Sequence, residues 1–281
     1  MTFFISRCII FSILSFLAYN YINMITLAKL QSFLDGFLNY DKNLDLTIID
    51  PYMANGLQVK GSQEIKKIGI GVSASMELFQ MTVEKKCQAL VVHHALNLPS
   101  RQCYDEIFQN RLTYLIKHNI SLFGYHFLLD SHPEIGHNIK IVKLLGGKSI
   151  KPFLFHKQPW GYLSQIEPIS LNNLLKKVEP YFSDQMKIYR FGNHTVKTVA
   201  ALSGRGLPYA SDLQYLITNK VDLYITGEVS EWIRELFREA KINFIAGGHY
   251  HTERFGLLAL EKILCQQLAV ETEFLELENE V

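Results

Sequence analysis

From about residue 66 the chain alternates short runs of β-branched and aromatic residues with longer segments whose apolar positions recur at helical spacing. That alternation is the signature of an α/β fold with much parallel sheet. Strands are expected at Lys67-Ile-Gly-Ile-Gly-Val72, Ala89-Leu-Val-Val92, 120–125, Trp160-Gly-Tyr-Leu163, Met186-Lys-Ile-Tyr189, 196–202, Asp222-Leu-Tyr-Ile225 and Asn243-Phe-Ile-Ala246. Helices are expected between them near 75–86, 104–118, 133–145, 170–182, 210–219, 229–240 and 250–267. Upstream, Leu27, Leu30, Phe33, Leu34, Phe37 and Leu38 fall on one helical face behind Thr26, a good N-cap, so a folded unit is expected to begin near Met24. The least regular stretch, Lys148 to Pro159, is read as a seam between a first half of about 24–147 and a second of about 160–281.

Residues 1–23 stand apart from this pattern. Cys8 to Tyr19 is an uncharged apolar run of 12 residues behind a single Arg7, short for a bilayer span and of signal-peptide length, but without a good small-residue cleavage pattern. It is read as an extension from an upstream start, with export or membrane anchoring as the rival reading, and the expected location is the cytoplasm.

Composition narrows the classes. The chain has 281 residues, is 48% hydrophobic and carries 28 Lys+Arg against 27 Asp+Glu, which suits a large globular core and lacks the basic excess of a bulk nucleic-acid binder. Four scattered cysteines without a CxxC pair read as free, mostly core thiols in a reducing compartment.

The candidate chemistry lies at the carboxyl ends of the expected strands, where open α/β sheets gather ligands. His93 and His94 follow one strand, His126 and Asp130 the next, then Gly204 and Gly206, Thr226-Gly-Glu228, and His249, His251 and Glu253. Turn chemistry alone calls for Gly, Asp and Asn there, not for three groups of His with carboxylates. His249 and Glu253 are four residues apart, on one face of a helix expected to begin near Gly248, whereas His251 lies off that face and reads as exposed or capping. Asp130 adds an anionic oxygen, and Glu253 can bridge two cations. This mixed N/O set suits Zn, Mn, Fe, Co or Ni better than a thiolate zinc site or an oxygen-only calcium site. Two such ions activate water for hydrolysis.

With these residues in view, the chain from about Met24 to its end resembles the Nif-three-like dinuclear-metal family, also labelled GTP cyclohydrolase I type 2 homologues. The resemblance rests on Asn55-Gly-Leu-Gln-Val59, Val91-Val-His-His94, the segment from Tyr125 through Asp130 to Asn138, Asp222 to Glu231, and Gly248-His-Tyr-His-Thr-Glu-Arg254. It implies two similar interlocked α/β halves with mixed, largely parallel sheets flanked by helices, a homohexameric toroid, and two divalent ions on His93, His94, Asp130, His249 and Glu253. His126 falls in the family's active-site segment, as a supporting or acid/base group or as an orienter of Asp130. Glu228 and Glu231 lie in its Thr-Gly-Glu motif, where they reach the pocket or stabilise a helix dipole. Arg205 stands in the glycine-rich segment where a small residue is more usual. It is placed either to pair with a substrate anion or to point to solvent. No GxxxxGK[ST] loop is present. The expected function is therefore a metal-dependent hydrolase, cyclohydrolase-like or phosphoesterase-like, acting on a small molecule. The alternative is a non-catalytic metal-delivery or regulatory ring with protein partners, and a ring that encircles nucleic acid is disfavoured by the near-neutral charge.

Overall fold

The computed structural model describes residues 24–97 and 103–281; the expectations for residues 1–23 fall outside them. In chain order the first part comprises β1 (Ile25–Thr26), α1 (Leu27–Leu38), α2 (Leu46–Ile49), β2 (Asn55–Val59), β3 (Glu64–Ile65), β4 (Lys67–Ser73), α3 (Met76–Glu84), β5 (Ala89–His94), α4 (Glu106–Lys117), β6 (Ser121–Tyr125), α5 (Phe127–Asp130) and α6 (His137–Leu144). The second comprises β7 (Lys148–Phe155), β8 (Gln158–Ser170), α7 (Leu171–Val178), β9 (Lys187–Tyr189), β10 (Thr195–Ala201), α8 (Ala210–Thr218), β11 (Leu223–Thr226), α9 (Glu231–Ala240), β12 (Asn243–Ala246), α10 (His249–Thr252), α11 (Arg254–Leu268) and β13 (Glu271–Phe274).

Two mixed sheets carry the fold. One has the order β13-β4-β5-β6-β2, parallel throughout except for β2. The other has the order β7-β8-β10-β11-β12-β9, with a parallel centre β10-β11-β12 and antiparallel flanks. The period-2 alternation of a strand explains why both faces are apolar: Leu90 and Val92 of β5 pack with Leu78, Phe79 and Leu115 of α3 and α4, while Val91 packs on the opposite face with Leu30, Leu34, Leu257 and Leu260 of α1 and α11. In the second sheet, Tyr224 and Phe244 meet Ile233 and Phe237 of α9, and Ile225 and Ile245 face the other way.

The halves exchange elements. Helix α6, from the first part of the chain, gives Ile139, Ile141 and Val142 to the core of the second sheet. In return, α11 packs on the first sheet and β13 pairs with β4 as its outer strand. That edge strand is fastened by Lys67, whose ammonium lies 2.8 Å from Glu271 and 2.7 Å from Glu273.

Three expectations are corrected. Lys148 to Pro159 is no irregular seam but most of a β-hairpin, in which Phe155 pairs with Gln158 across a two-residue turn. His156 and Lys157 both take positive φ, 50° and 68°, the backbone of a type I′ turn. Neither is the Asn or Gly that usually announces one. Asp212 makes the turn tolerable, accepting from the His156 backbone N–H at 3.2 Å and facing its imidazole at 3.1 Å. The strand expected at 160–163 extends from 158 to 170, and Pro168 sits inside it where the β8-β10 register shifts. Of the cysteines in the described residues only Cys87 is buried, which pushes its thiol up to about 12, whereas Cys103 and Cys265 are exposed.

Candidate metal centre

The carboxyl ends of β5, β6, β10, β11 and β12 converge between the two sheets. Each supplies a polar group. Strand β5 continues through His94, yet both of its terminal histidines reach the same cluster, with ring centroids 4.5 Å apart. After β6 the single turn of α5 carries Asp130 back toward His93. After β12, Gly248 adopts φ 93°, closed to residues with a Cβ, and turns the chain into α10 with His249 at its start. The expected single helix from 250 is interrupted at Glu253, which joins α10 to α11 with ψ near 8°. The four-residue spacing still holds, since His249 Nε2 is 3.1 Å from Glu253 Oε1.

Glu253 lies at the centre and is only 3% exposed. Its Oε1 is 3.6 Å from His93 Nε2 and its Oε2 is 3.3 Å from His94 Nε2, while Asp130 Oδ2 is 3.6 Å from His93 Nε2. Two ligands about 2.0–2.1 Å from one tetrahedral ion stand roughly 3.3 Å apart, so these separations are those of a coordination sphere's edges. The five residues named from the sequence are thus brought together. Three overlapping triads, His93–His94–His126, His93–Asp130–His137 and His94–His249–Glu253, each place their candidate donor atoms within 4.8 Å of one another.

The outer nitrogens are held. His93 Nδ1 donates to the Tyr125 carbonyl at 3.0 Å, His249 Nδ1 to Glu228 Oε1 at 2.6 Å, and His94 Nδ1 meets the Ser73 hydroxyl at 2.9 Å. A carbonyl can only accept, so Nδ1 of His93 carries hydrogen and its Nε2 is the nitrogen left for a ligand. Buried His93 Nε2 and Glu253 Oε2 have no hydrogen-bond partner, the condition expected of atoms shaped for a cation. Asp130 Oδ1 accepts from the Ser203 hydroxyl at 2.9 Å.

The charges are tightly coupled. Burial alone disfavours the His93 imidazolium, but the carboxylates of Asp130 and Glu253 outweigh it and lift its pKa to about 9. His249 reaches about 9 in the same way, through Glu253 and Glu228. Burial and the neighbouring imidazoliums drive His94 down to about 3. Burial raises Asp130, whereas the surrounding imidazoles hold Glu253 well below the usual carboxylate range despite its burial.

The remaining candidates divide. His126 does not orient Asp130; its Nδ1 bonds Asp50 Oδ2 at 2.9 Å, and its ring lies 4.7 Å from that of His93. Burial works against the Asp50 carboxylate, but hydrogen bonds from His126, Asn55 and the Phe127 N–H hold its pKa below normal. Glu228 supports His249 and lies 3.9 Å from the guanidinium of largely exposed Arg205. Glu231 is exposed in the first turn of α9, where it serves the helix dipole. His251 points away from the cluster, to a groove behind it.

Two supporting residues escape sequence reasoning. Asp50 ends a one-turn helix and carries no spacing signal. His137 is wholly buried and accepts from the Gly256 N–H at its Nδ1, so in the neutral form that burial enforces its Nε2 bears hydrogen and is no ligand lone pair. It falls in the Tyr125 to Asn138 segment that carries the resemblance, but no spacing marks its role. Over the cluster opens a cavity of about 440 Å³ walled by Ile48, Ile49, Phe155, Trp160 and Leu202, with Arg205 at its edge.

The Duf34/NIF3 (NGG1p interacting factor 3) family model matches residues 32–280. A protein of Archaeoglobus fulgidus named GTP cyclohydrolase 1 type 2 homolog is 33% identical over 253 residues, covering 89% of this chain and 98% of its own. Its namesake from Haemophilus influenzae is 32% identical with the same coverages. Among solved structures, protein ybgI, of unknown function, superposes with a TM-score of 0.80 at 29% identity, covering 92% of this chain and 100% of the other. TTHA1606 from Thermus thermophilus gives 0.79 at 25% identity with the same coverages.

Proposed function

The chain belongs to the Duf34/NIF3 family, and from that premise we propose that it is a two-metal hydrolase with His93, His94, Asp130, His249 and Glu253 as ligands. The observation that carries the reading is that His93 Nε2 and Glu253 Oε2 are buried and unpartnered within one cluster while Nδ1 of His93 and of His249 is engaged elsewhere. Leaving such atoms without a partner is costly unless a cation meets them. Zn, Mn, Fe, Co or Ni suits the donors.

When bound, paired divalent ions make water nucleophilic near neutral pH and offset charge on the attacking and leaving oxygens. The chain's own groups do the rest. Asp50 fixes His126 through Nδ1, leaving Nε2 to take up or return a proton on the cavity side. Ser203 steadies Asp130 and Glu228 steadies His249. Trp160, Phe155 and Ile49 give the cavity apolar walls that restrict water. A small ring carbon or phosphoester is the substrate class under this reading. The same proposal takes the assembly to be a homohexameric ring, for which exposed Tyr104, Ile107 and Ile116 at and within α4 offer subunit contacts, and the location to be the cytoplasm. Among the described residues no helix is long and apolar enough to cross a membrane.

A metal-delivery role is favoured by one observation: His94 and His249 are 23% and 26% exposed, so one side of the cluster is open to exchange. Elemental analysis tests both readings. About two ions per chain, lowered in His93→Ala and Glu253→Ala, is the expected result. His126→Ala should then keep the metal and lose turnover of nucleotides or phosphoesters. Full metal with no hydrolysis by the wild type moves the function to delivery, and no metal after reconstitution with all five ions refutes both.

A further inference from the structure

Behind the metal cluster, on the outer side of α10 and α11, lies a groove of about 650 Å³ bordered by α6. Lys140 and Lys143 of α6 face Lys262 and Arg254 of α11 across it, and Tyr181 and Phe255 form an aromatic wall with ring centroids 6.0 Å apart. Glu276 pairs with Arg254 at 2.5 Å and accepts from the Tyr250 hydroxyl at 2.9 Å, but among the described residues Lys140, Lys143 and Lys262 form no ion pair, and Lys143 donates to the backbone oxygen of Glu134. Burial, with Lys143 and Lys262 as like-charged neighbours, lowers the pKa of Lys140 against the opposing pull of Glu134.

A second observation is independent of the lysines. His251 Nδ1 and Arg254 Nε, on two residues lining the groove, are buried and have no hydrogen-bond partner. His251 belongs to the same short segment as two metal-ligand candidates but serves no purpose there. Basic side chains around a concave, partly aromatic floor of this volume match a small organic anion better than a flat macromolecular surface. A phosphate suits them because Arg and Lys give it charge-assisted hydrogen bonds.

We propose that this groove is a second binding site, independent of the metal centre, for a small phosphorylated aromatic of the nucleoside monophosphate class. The phosphate lies among Lys140, Lys143, Lys262 and Arg254, and the ring lies against half-exposed Tyr181.

Titration calorimetry of AMP and of inorganic phosphate on the metal-loaded full chain tests it. The expected result is a saturable AMP site, tighter than inorganic phosphate, that is present in both the wild type and the His93→Ala protein. Binding should weaken by roughly 10-fold or more in the doubly substituted Lys140→Ala/Lys262→Ala protein, since charge-assisted hydrogen bonds to the phosphate are lost. Tyr181→Ala should weaken AMP but not phosphate at this site, and the lysine-dependent AMP site should persist in His93→Ala. AMP binding that survives the lysine substitutions and disappears in His93→Ala would place the nucleotide at the metal centre and overturn the proposal. So would heparin binding without AMP binding, or no saturation up to about 1 mM AMP, a Kd too weak for a built site.

Discussion

Gly204 offers the sharpest perturbation of the metal cluster, because no ligand is touched by changing it. Its φ is +57°, and a Cβ built there would lie 2.0 Å from Glu253 Oε1 and 3.1 Å from His249 Nε2. The surrounding loop cannot yield, since the Gly204 N–H donates to Thr252 Oγ1 at 3.0 Å and its carbonyl accepts from the Gly227 N–H at 2.9 Å and the Thr226 hydroxyl at 3.1 Å. In Gly204→Ala, the carboxylate must therefore retreat by about 1 Å, several times the ~0.2 Å tolerance of a metal–ligand bond. Even supporting substitutions around metal sites cost 10–100-fold in affinity, so displacing the shared carboxylate should cost at least about 100-fold. The left-handed backbone adds about 1–2 kcal/mol of fold destabilisation, a fall in Tm of roughly 2–8 °C for a chain of this size. Competition with a chromogenic chelator measures the first effect and thermal denaturation in EDTA the second. A folded Gly204→Ala protein that keeps wild-type metal content and affinity would refute the placement of Glu253 as a ligand.

Other expectations follow from the same geometry. In the metal-free chain the pKa values of His93 and His249, near 9, lie above their unfolded values, so their contribution to stability is complete below about pH 6.5 and is lost as pH rises through 9. Metal must displace those protons, so uptake should strengthen from pH 7 to 9 while the metal-free Tm falls, with proton release read from calorimetry in buffers of different ionisation enthalpy. Asp212→Ala removes the acceptor of the Tyr209 N–H and both contacts to the His156 turn, and should lower stability by about 1–3 kcal/mol in urea denaturation. Gly36→Ala, in α1 with nothing within 4 Å of the new methyl, should raise stability by about 0.5–1 kcal/mol on the same measure.

Apolar periodicity located the central strands and most crossover helices because their side chains are buried on one or both faces, and the convergence of the five candidate residues was legible because strand ends in such sheets open onto one crevice. What escaped had specific causes. Strand β13 reads Glu-Thr-Glu-Phe, an acidic edge whose pairing with β4 depends on Lys67, some 200 residues earlier in the chain. The turn at His156 and Lys157 owes its geometry to Asp212 rather than to its own residues. The partnership of Asp50 with His126 spans 76 positions. Each of these is a long-range contact, and none leaves a local trace in the sequence.

The exchange of α6 for α11 and β13 also bears on the order in which the molecule can be completed. Three ligand candidates leave the ribosome early and two late, and the first sheet waits for residues 271–274 to receive its outermost strand. A chain that ends before residue 249 therefore carries His93, His94 and Asp130 but neither His249 nor the central carboxylate of Glu253. The cluster is thus closed only by residues from both ends of the chain, so its assembly reports that both halves have been made and have come together.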